Sequence, residues 1–127
     1  MKHIIKGDDL GKEEFWLGKV TLVTGGRDYG DAFRLAFVLD HAKPTMIIEG
    51  GQTGADLLAQ RWARRRGVHV AEVAAQWKVI DNAGPRRNEA MLALNPKVVI
   101  AFPGGIGTAD MVSRAVDRGI RVVEVLP

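Results

Sequence analysis

The stretch Val20-Thr21-Leu22-Val23-Thr24-Gly25-Gly26-Arg27-Asp28-Tyr29-Gly30 begins as a β-branched run and breaks abruptly into glycine. The run is apolar almost throughout, as expected of a strand covered by helices on both faces. Residues 31–41 follow with Phe33, Ala36 and Phe37 at helical spacing and stop before Pro44. Strand, glycine loop and helix in that order predict a βα unit. The same order recurs along the chain. Further strands are predicted at 45–49, 68–73, 98–102 and 121–125, and helices at 54–66, from Pro85 to no later than Asn95, and at 107–118. The second helix sets Ala55, Leu58, Ala59, Trp62 and Ala63 on one face and ends at Gly67; the last buries Val112, Ala115 and Val116 and ends at Gly119. Alternating βα units predict an α/β fold, a three-layer sandwich around a mostly parallel sheet of about five strands. Residues 19–127 form that domain, and residues 1–18 read as an N-terminal extension whose Phe15-Trp16-Leu17 docks on the domain or on a partner.

Composition narrows the function. The 127 residues carry 18 Lys plus Arg against 15 Asp plus Glu, a formal charge of +3, with 46% hydrophobic residues and no cysteine. Disulfide scaffolds, thiolate metal sites and cysteine nucleophiles are therefore excluded. No apolar run approaches the roughly 20 residues of a membrane span, and the start lacks a signal-peptide core. A soluble, cytoplasmic protein with no membrane partner is expected. Glycine is the unusual residue: there are 15, and ten of them fall in the loops after the first, second and fourth predicted strands or just before an arginine pair.

Those loops are Gly25-Gly26-Arg27-Asp28-Tyr29-Gly30, Gly50-Gly51-Gln52-Thr53-Gly54 and Pro103-Gly104-Gly105-Ile106-Gly107-Thr108. In an open parallel sheet all three lie at the carboxyl edge, where ligands bind. Each leads into a helix N-terminus, whose unpaired N–H groups and positive dipole end favour a phosphate or carboxylate. The plainer explanation is that glycine makes tight βα turns; three such loops at one edge weigh against it. The common phosphate-loop patterns do not match. Gly25 and Gly30 have Walker A spacing but Asp31-Ala32 stands where Lys-Ser/Thr is required, and Asp110 replaces the third glycine of a dinucleotide fingerprint. An ATPase or an ordinary NAD enzyme is not supported, and no cofactor is expected.

Arg27 lies within a glycine loop, and Arg86-Arg87-Asn88 opens the third helix, where cations are mildly unfavourable unless an anion binds. Arg61, Arg64, Arg65 and Arg66 fall at a helix end, where they complement the dipole or form a nucleic-acid patch. Asp56 and Asp110 follow glycine loops and could hold ribose hydroxyls, and Trp77 could cover a base. His3, His41 and His69 show no metal-ligand spacing. Ser113, the one serine, lies within a helix, so no metal site and no Ser–His–Asp arrangement is expected.

Taken in order, Thr24 to Tyr29, Glu49 to Asp56 with Trp62-Ala63, Trp77 leading to Ala83-Gly84-Pro85-Arg86-Arg87-Asn88 and Met91, and Phe102 to Thr108 resemble the SLOG superfamily, named for the Smf/DprA and LOG proteins. The resemblance is closest to its YspA, or cpYpsA-related, branch and spans essentially all of residues 19–125. It implies a Rossmann-like fold and a nucleotide or nucleotide-derived ligand, bound as a sensor or processing domain. Gly25, Gly26, Gly50, Gly51, Thr53, Gly54, Pro103, Gly104, Gly105, Gly107 and Thr108 would then form the cradle. Arg27, Asp28, Arg86, Arg87, Asn88, Asp56 and Trp77 would complete the site.

The LOG branch hydrolyses the N-glycosidic bond of nucleoside 5′-monophosphates with the pattern Pro-Gly-Gly-x-Gly-Thr-x-x-Glu and an upstream Arg-Lys pair. Here Arg87 matches the arginine, Asn88 replaces the lysine, and Met111 stands at the glutamate position. A thioether cannot activate water or stabilise positive charge on ribose. Asp110, one residue away, is turned by about 100° on the helix. A phosphoribohydrolase using Asp110 and Arg87 is the alternative reading, and single-stranded nucleic-acid binding, as in the DNA-processing branch, a second one. Self-association is expected, because SLOG proteins commonly pair and Phe15-Trp16 has no other explanation.

Overall fold

Short apolar runs with β-branched residues cannot bury both faces unless helices cover both sides of the sheet they form. The computed structural model, which describes residues 2–7, 10, 14–75 and 83–127, shows that arrangement. Six strands, β1 (Lys2–Ile5), β2 (Val20–Thr24), β3 (Met46–Glu49), β4 (His69–Glu72), β5 (Val98–Ala101) and β6 (Arg121–Val125), form one sheet. Their order is β1-β6-β5-β2-β3-β4, and every pairing is parallel. From β2 onward this is the dinucleotide-fold order, with the direction of winding reversing between β2 and β5.

The sheet has one strand more than the sequence predicts, because the segment read as an extension supplies β1. Lys2 pairs with Val122 and Ile5 with Val125, covering the open edge of β6. Trp16 docks on the domain: it is wholly buried in the core and stacks on His41 at 5.1 Å. It is therefore not free apolar surface for self-association.

Helices α1 (Ala32–Ala42) and α2 (Ala55–Arg66) pack with Val23, Ile47, Ile100 and Val123 on one face of the sheet. Helices α3 (Ala83–Leu92) and α4 (Ile106–Asp117) pack with Leu22, Ile48, Val99 and Val122 on the other. Three helix faces differ from expectation. In α1 the buried stripe is Leu35, Val38, Leu39 and Ala42, while Phe33 is 86% and Phe37 40% exposed. Asp31 caps α1 by accepting from the Arg34 N–H at 2.9 Å, and packing of the Leu35, Val38, Leu39 and Ala42 stripe into the core leaves both rings facing outward. In α4, Met111 is buried with Val112 and Ala115, while Val116 is 37% exposed. In α2 Leu58 is only half-buried, and Asp56 takes a buried place.

Candidate functional site

All three glycine loops lie at the carboxyl edge, as the sequence predicts, but they do different work. The loops after β2 and β5 meet across the switch point, where Gly26 N–H donates to Pro103 O at 2.9 Å. The α2 loop closes on the β2 loop, with Ala55 N–H donating to Gly26 O at 3.2 Å and Thr53 Oγ1 to Arg27 O at 3.2 Å. This close docking explains several glycines by itself. A Cβ on Gly25 would stand 2.5 Å from Ala55 Cβ, on Gly50 2.1 Å from Arg87 Nη1, and on Gly104 2.7 Å from Gly26 N.

Gly105 and Gly107 are different. A Cβ on either would meet no atom within 4 Å, and neither has a left-handed backbone. Gly105 is the N-cap of α4, and no side chain caps that helix end. The four N-terminal N–H groups of a helix need partners, so an open, uncapped, glycine-lined N-terminus offers donors outward.

That N-terminus opens into a cleft of about 1170 Å³ at the switch point. Gly25, Gly26, Arg27 and Asp28 line it from the β2 loop, Pro103, Gly104 and Thr108 from the β5 loop, and Gly84, Arg87, Asn88 and Asp110 from α3 and α4. Asp56 and Gln52 reach it from the α2 loop, whereas Gly50, Gly51, Thr53 and Gly54 do not line it. Arg86 is exposed outside the cleft. Trp77 lies outside the described residues.

The amides of the α2 loop already hold carboxyl groups of the chain itself. Gly50 and Gln52 N–H both donate to Asp56 Oδ2, at 3.2 and 3.3 Å, and Gly51 N–H donates to Glu49 Oε1 at 2.7 Å. Burial raises the Asp56 carboxyl above its usual range against the opposing pull of the Gln52 N–H and Arg87. Arg87, lowered chiefly by burial, donates Nη1 to Gly50 O at 3.1 Å and Nε to Asn88 Oδ1 at 3.2 Å. It is thus held at the cleft wall in a fixed orientation.

On α4, Asp110 Oδ2 accepts from Asn88 Nδ2 at 2.9 Å and from Arg114 Nε at 2.8 Å. Burial pushes this carboxyl up, but those two donors outweigh it and hold it below the usual range. Asp110 is therefore a lasting anion suited to accept a hydroxyl, and a poor proton donor. Met111, at the position of the LOG glutamate, is wholly buried in the α3–α4 core.

Two residues at this edge of the sheet, one lining the cleft and one behind the α2 loop, were not singled out from sequence. Arg34 lines the cleft from α1, and both its terminal nitrogens are buried without a hydrogen-bond partner among the described residues. The signal was available: Arg34 is a cation in the first turn of a helix, where the dipole opposes it, whereas α3 starts at Ala83, two residues before the expected Pro85, and sets Arg86 and Arg87 at its fourth and fifth positions. Glu49, wholly buried at the end of β3, is the second; its Oε2 has no hydrogen-bond partner among the described residues. Burial, supplemented by the charges of Asp56 and Glu72, pushes its carboxyl up to about 7 despite the Gly51 N–H.

An unfolded glutamate titrates near 4.5. Between that pH and about 7 the folded protein retains a proton that the unfolded chain has released, so stability falls as pH rises through this window and levels above it. The loss amounts to about 3 kcal/mol. Glu49→Gln is expected to exceed wild type in stability at pH 8 and to match it near pH 4.5. Urea denaturation across that range checks this, and parallel pH profiles for the two proteins would contradict it.

The Arg61–Arg66 cluster stands away from the cleft, at the opposite edge. Arg66 pairs with Asp40 at 2.7 Å and stacks over Trp62 at 5.2 Å, as a helix-end role requires. Among the described residues no group of three or more His, Cys, Asp or Glu could hold a metal ion, and no helix is long and apolar enough to cross a membrane.

Comparison with known proteins agrees with the site's motifs. The model of the YspA, cpYpsA-related SLOG family matches residues 19–79, which include the first two glycine loops. The Gene 61 protein of Mycobacterium phage D29 is 33% identical over 115 residues, covering 80% of this chain and 92% of that relative. With the Rossmann-like sheet order and the glycine loops at its carboxyl edge, this chain belongs to the YspA, cpYpsA-related SLOG family.

Proposed function

We propose that the cleft binds a phosphorylated nucleotide or nucleotide derivative, with its phosphate at the N-terminus of α4. The carrying observation is that Gly105 and Gly107 are glycines with no steric need within their own chain and no left-handed backbone. They stand at an uncapped helix end facing a cleft that Arg27, Arg34 and Arg87 also line. Glycine lets backbone N–H groups reach an anion closely, and the guanidinium forks suit phosphate oxygens. The unpartnered nitrogens of Arg34 support the same reading, because a buried charge without a counter-ion is costly. Asp110 is placed to accept from a ribose hydroxyl through Oδ1, whereas Asp56 is committed to its own loop.

The site favours binding over LOG-type hydrolysis. The buried Met111 leaves no carboxylate at that position, and Asp110 is fixed by Asn88 and Arg114. Calorimetric titration with a panel of nucleoside mono-, di- and triphosphates tests the proposal. At least one is expected to bind, and Arg87→Ala to weaken it tenfold or more, the order of one lost charge-assisted hydrogen-bond pair. No binding by any member, or unchanged binding in Arg87→Ala, would refute it.

A further inference from the structure

A second groove, of about 1120 Å³, lies at the opposite, amino edge of the sheet. Four cations line it, Lys19, Lys97, Arg118 and Arg121, and no acidic residue does among the described residues. Three of them open neighbouring strands. Lys19 precedes β2, Lys97 precedes β5 and Arg121 is the first residue of β6, with Thr21 in register with Val98 and Val98 with Arg121. In that register Lys97 lies level with Val20 and Ile120, so the three step diagonally across the strand starts, the backbones of Lys19 and Arg121 standing about 12 Å apart. Their backbones are pinned, since Thr45 N–H donates to Lys19 O at 3.0 Å and Lys97 N–H to Val20 O at 2.9 Å.

Helix ends do not account for this row. Arg118 caps α4, where a cation complements the dipole, and is already paired with Glu89. Lys19, Lys97 and Arg121 sit on strand starts, and none of them forms an ion pair among the described residues. No acidic side chain among the described residues balances them in the groove. The Arg121 guanidinium also lies over the Phe15 ring, 4.7 Å from its centroid, giving a flat cationic platform within the groove.

We propose that this groove binds the phosphodiester backbone of a single-stranded nucleic acid. Lys19, Lys97 and Arg121 contact successive phosphates, and an unpaired base stacks at the Arg121–Phe15 platform. A cationic groove with a stacking surface is the general recipe for single strands; a duplex keeps its base faces stacked out of reach. The site is separate from the carboxyl-edge cleft and does not depend on a nucleotide binding there.

Fluorescence anisotropy of the full chain with a labelled oligothymidylate tests this. Three phosphate contacts predict log affinity falling against log salt with a slope of about −2. Lys19→Glu/Lys97→Glu is expected to lower affinity at least tenfold, and Arg87→Ala to leave it unchanged. Should the double reversal fail to fold, Lys19→Gln/Lys97→Gln is expected to fold and to reduce the slope to about −0.7. The proposal is overturned by absent or salt-independent binding at about 50 mM salt, or by wild-type affinity and slope in the folded double variants. Equal affinity for a duplex of the same length overturns it too, as does loss of binding in Arg87→Ala, which would move the oligonucleotide to the carboxyl-edge cleft.

Discussion

Gly54→Ala is expected to cost about 3–5 kcal/mol, a large part of the stability of a domain this size. Gly54 has φ 79° and ψ −131°, a region nearly confined to glycine, so any side chain is strained there before contacts are counted. A Cβ would also stand 2.1 Å from Gly26 O and 2.6 Å from both C and O of Arg27. These are backbone atoms and cannot rotate away. Relief would require the α2 loop to lift off the β2 loop, breaking the Ala55-to-Gly26 and Thr53-to-Arg27 hydrogen bonds that hold the two together. Chemical denaturation is the measurement, and a loss below about 0.5 kcal/mol would show that this docking is not a structural necessity.

Gly107→Ala should act in the opposite direction on stability and still damage the site. Gly107 is the second residue of α4, and its missing Cβ would meet nothing within 4 Å. Alanine is favoured over glycine within a helix by up to about 1 kcal/mol, so the variant is expected to melt a few degrees higher. Its methyl group would occupy the space in which the proposed phosphate approaches the backbone, and nucleotide affinity is expected to fall tenfold or more. A stabilised protein that binds less well separates a ligand-facing glycine from a structural one. Thermal melts and calorimetry on the same preparation read both effects, and wild-type affinity in the variant would remove Gly107 from the site.

These paired outcomes show where sequence reading reaches and where it stops. Strands β2 to β6 were legible because strands in a doubly covered parallel sheet are short apolar runs, and their loops were legible through glycine. β1 was not, because Lys2–Ile5 is an edge strand with a single neighbour, and its half-exposed residues show no buried-strand pattern. Its partner lies at the far end of the chain, in β6. In α1 the pattern supports two apolar stripes, and the aromatic bulk of Phe33 and Phe37 pointed to the wrong one; the stripe of Leu35, Val38, Leu39 and Ala42 is the one that packs into the core. Within the site, three glycine loops looked equivalent. The structure shows that Asp56 and Glu49 fill the amides of the α2 loop, while the N-terminus of α4 stays open. Glu49 gave little signal, since a carboxylate closing an apolar strand looks like the start of a loop.

The central claim is that a nucleotide phosphate sits on the N-terminus of α4 at the switch point, and amide NMR tests it most directly. A 5′-nucleotide is titrated into ¹⁵N-labelled protein and the backbone shifts are followed. The largest changes are expected at Gly105, Gly107 and Thr108, with Gly50, Gly51 and Gln52, whose amides Asp56 and Glu49 already engage, moving less. Largest shifts at Gly50 to Gln52, or around Lys19 and Lys97 at the amino edge, would contradict the account.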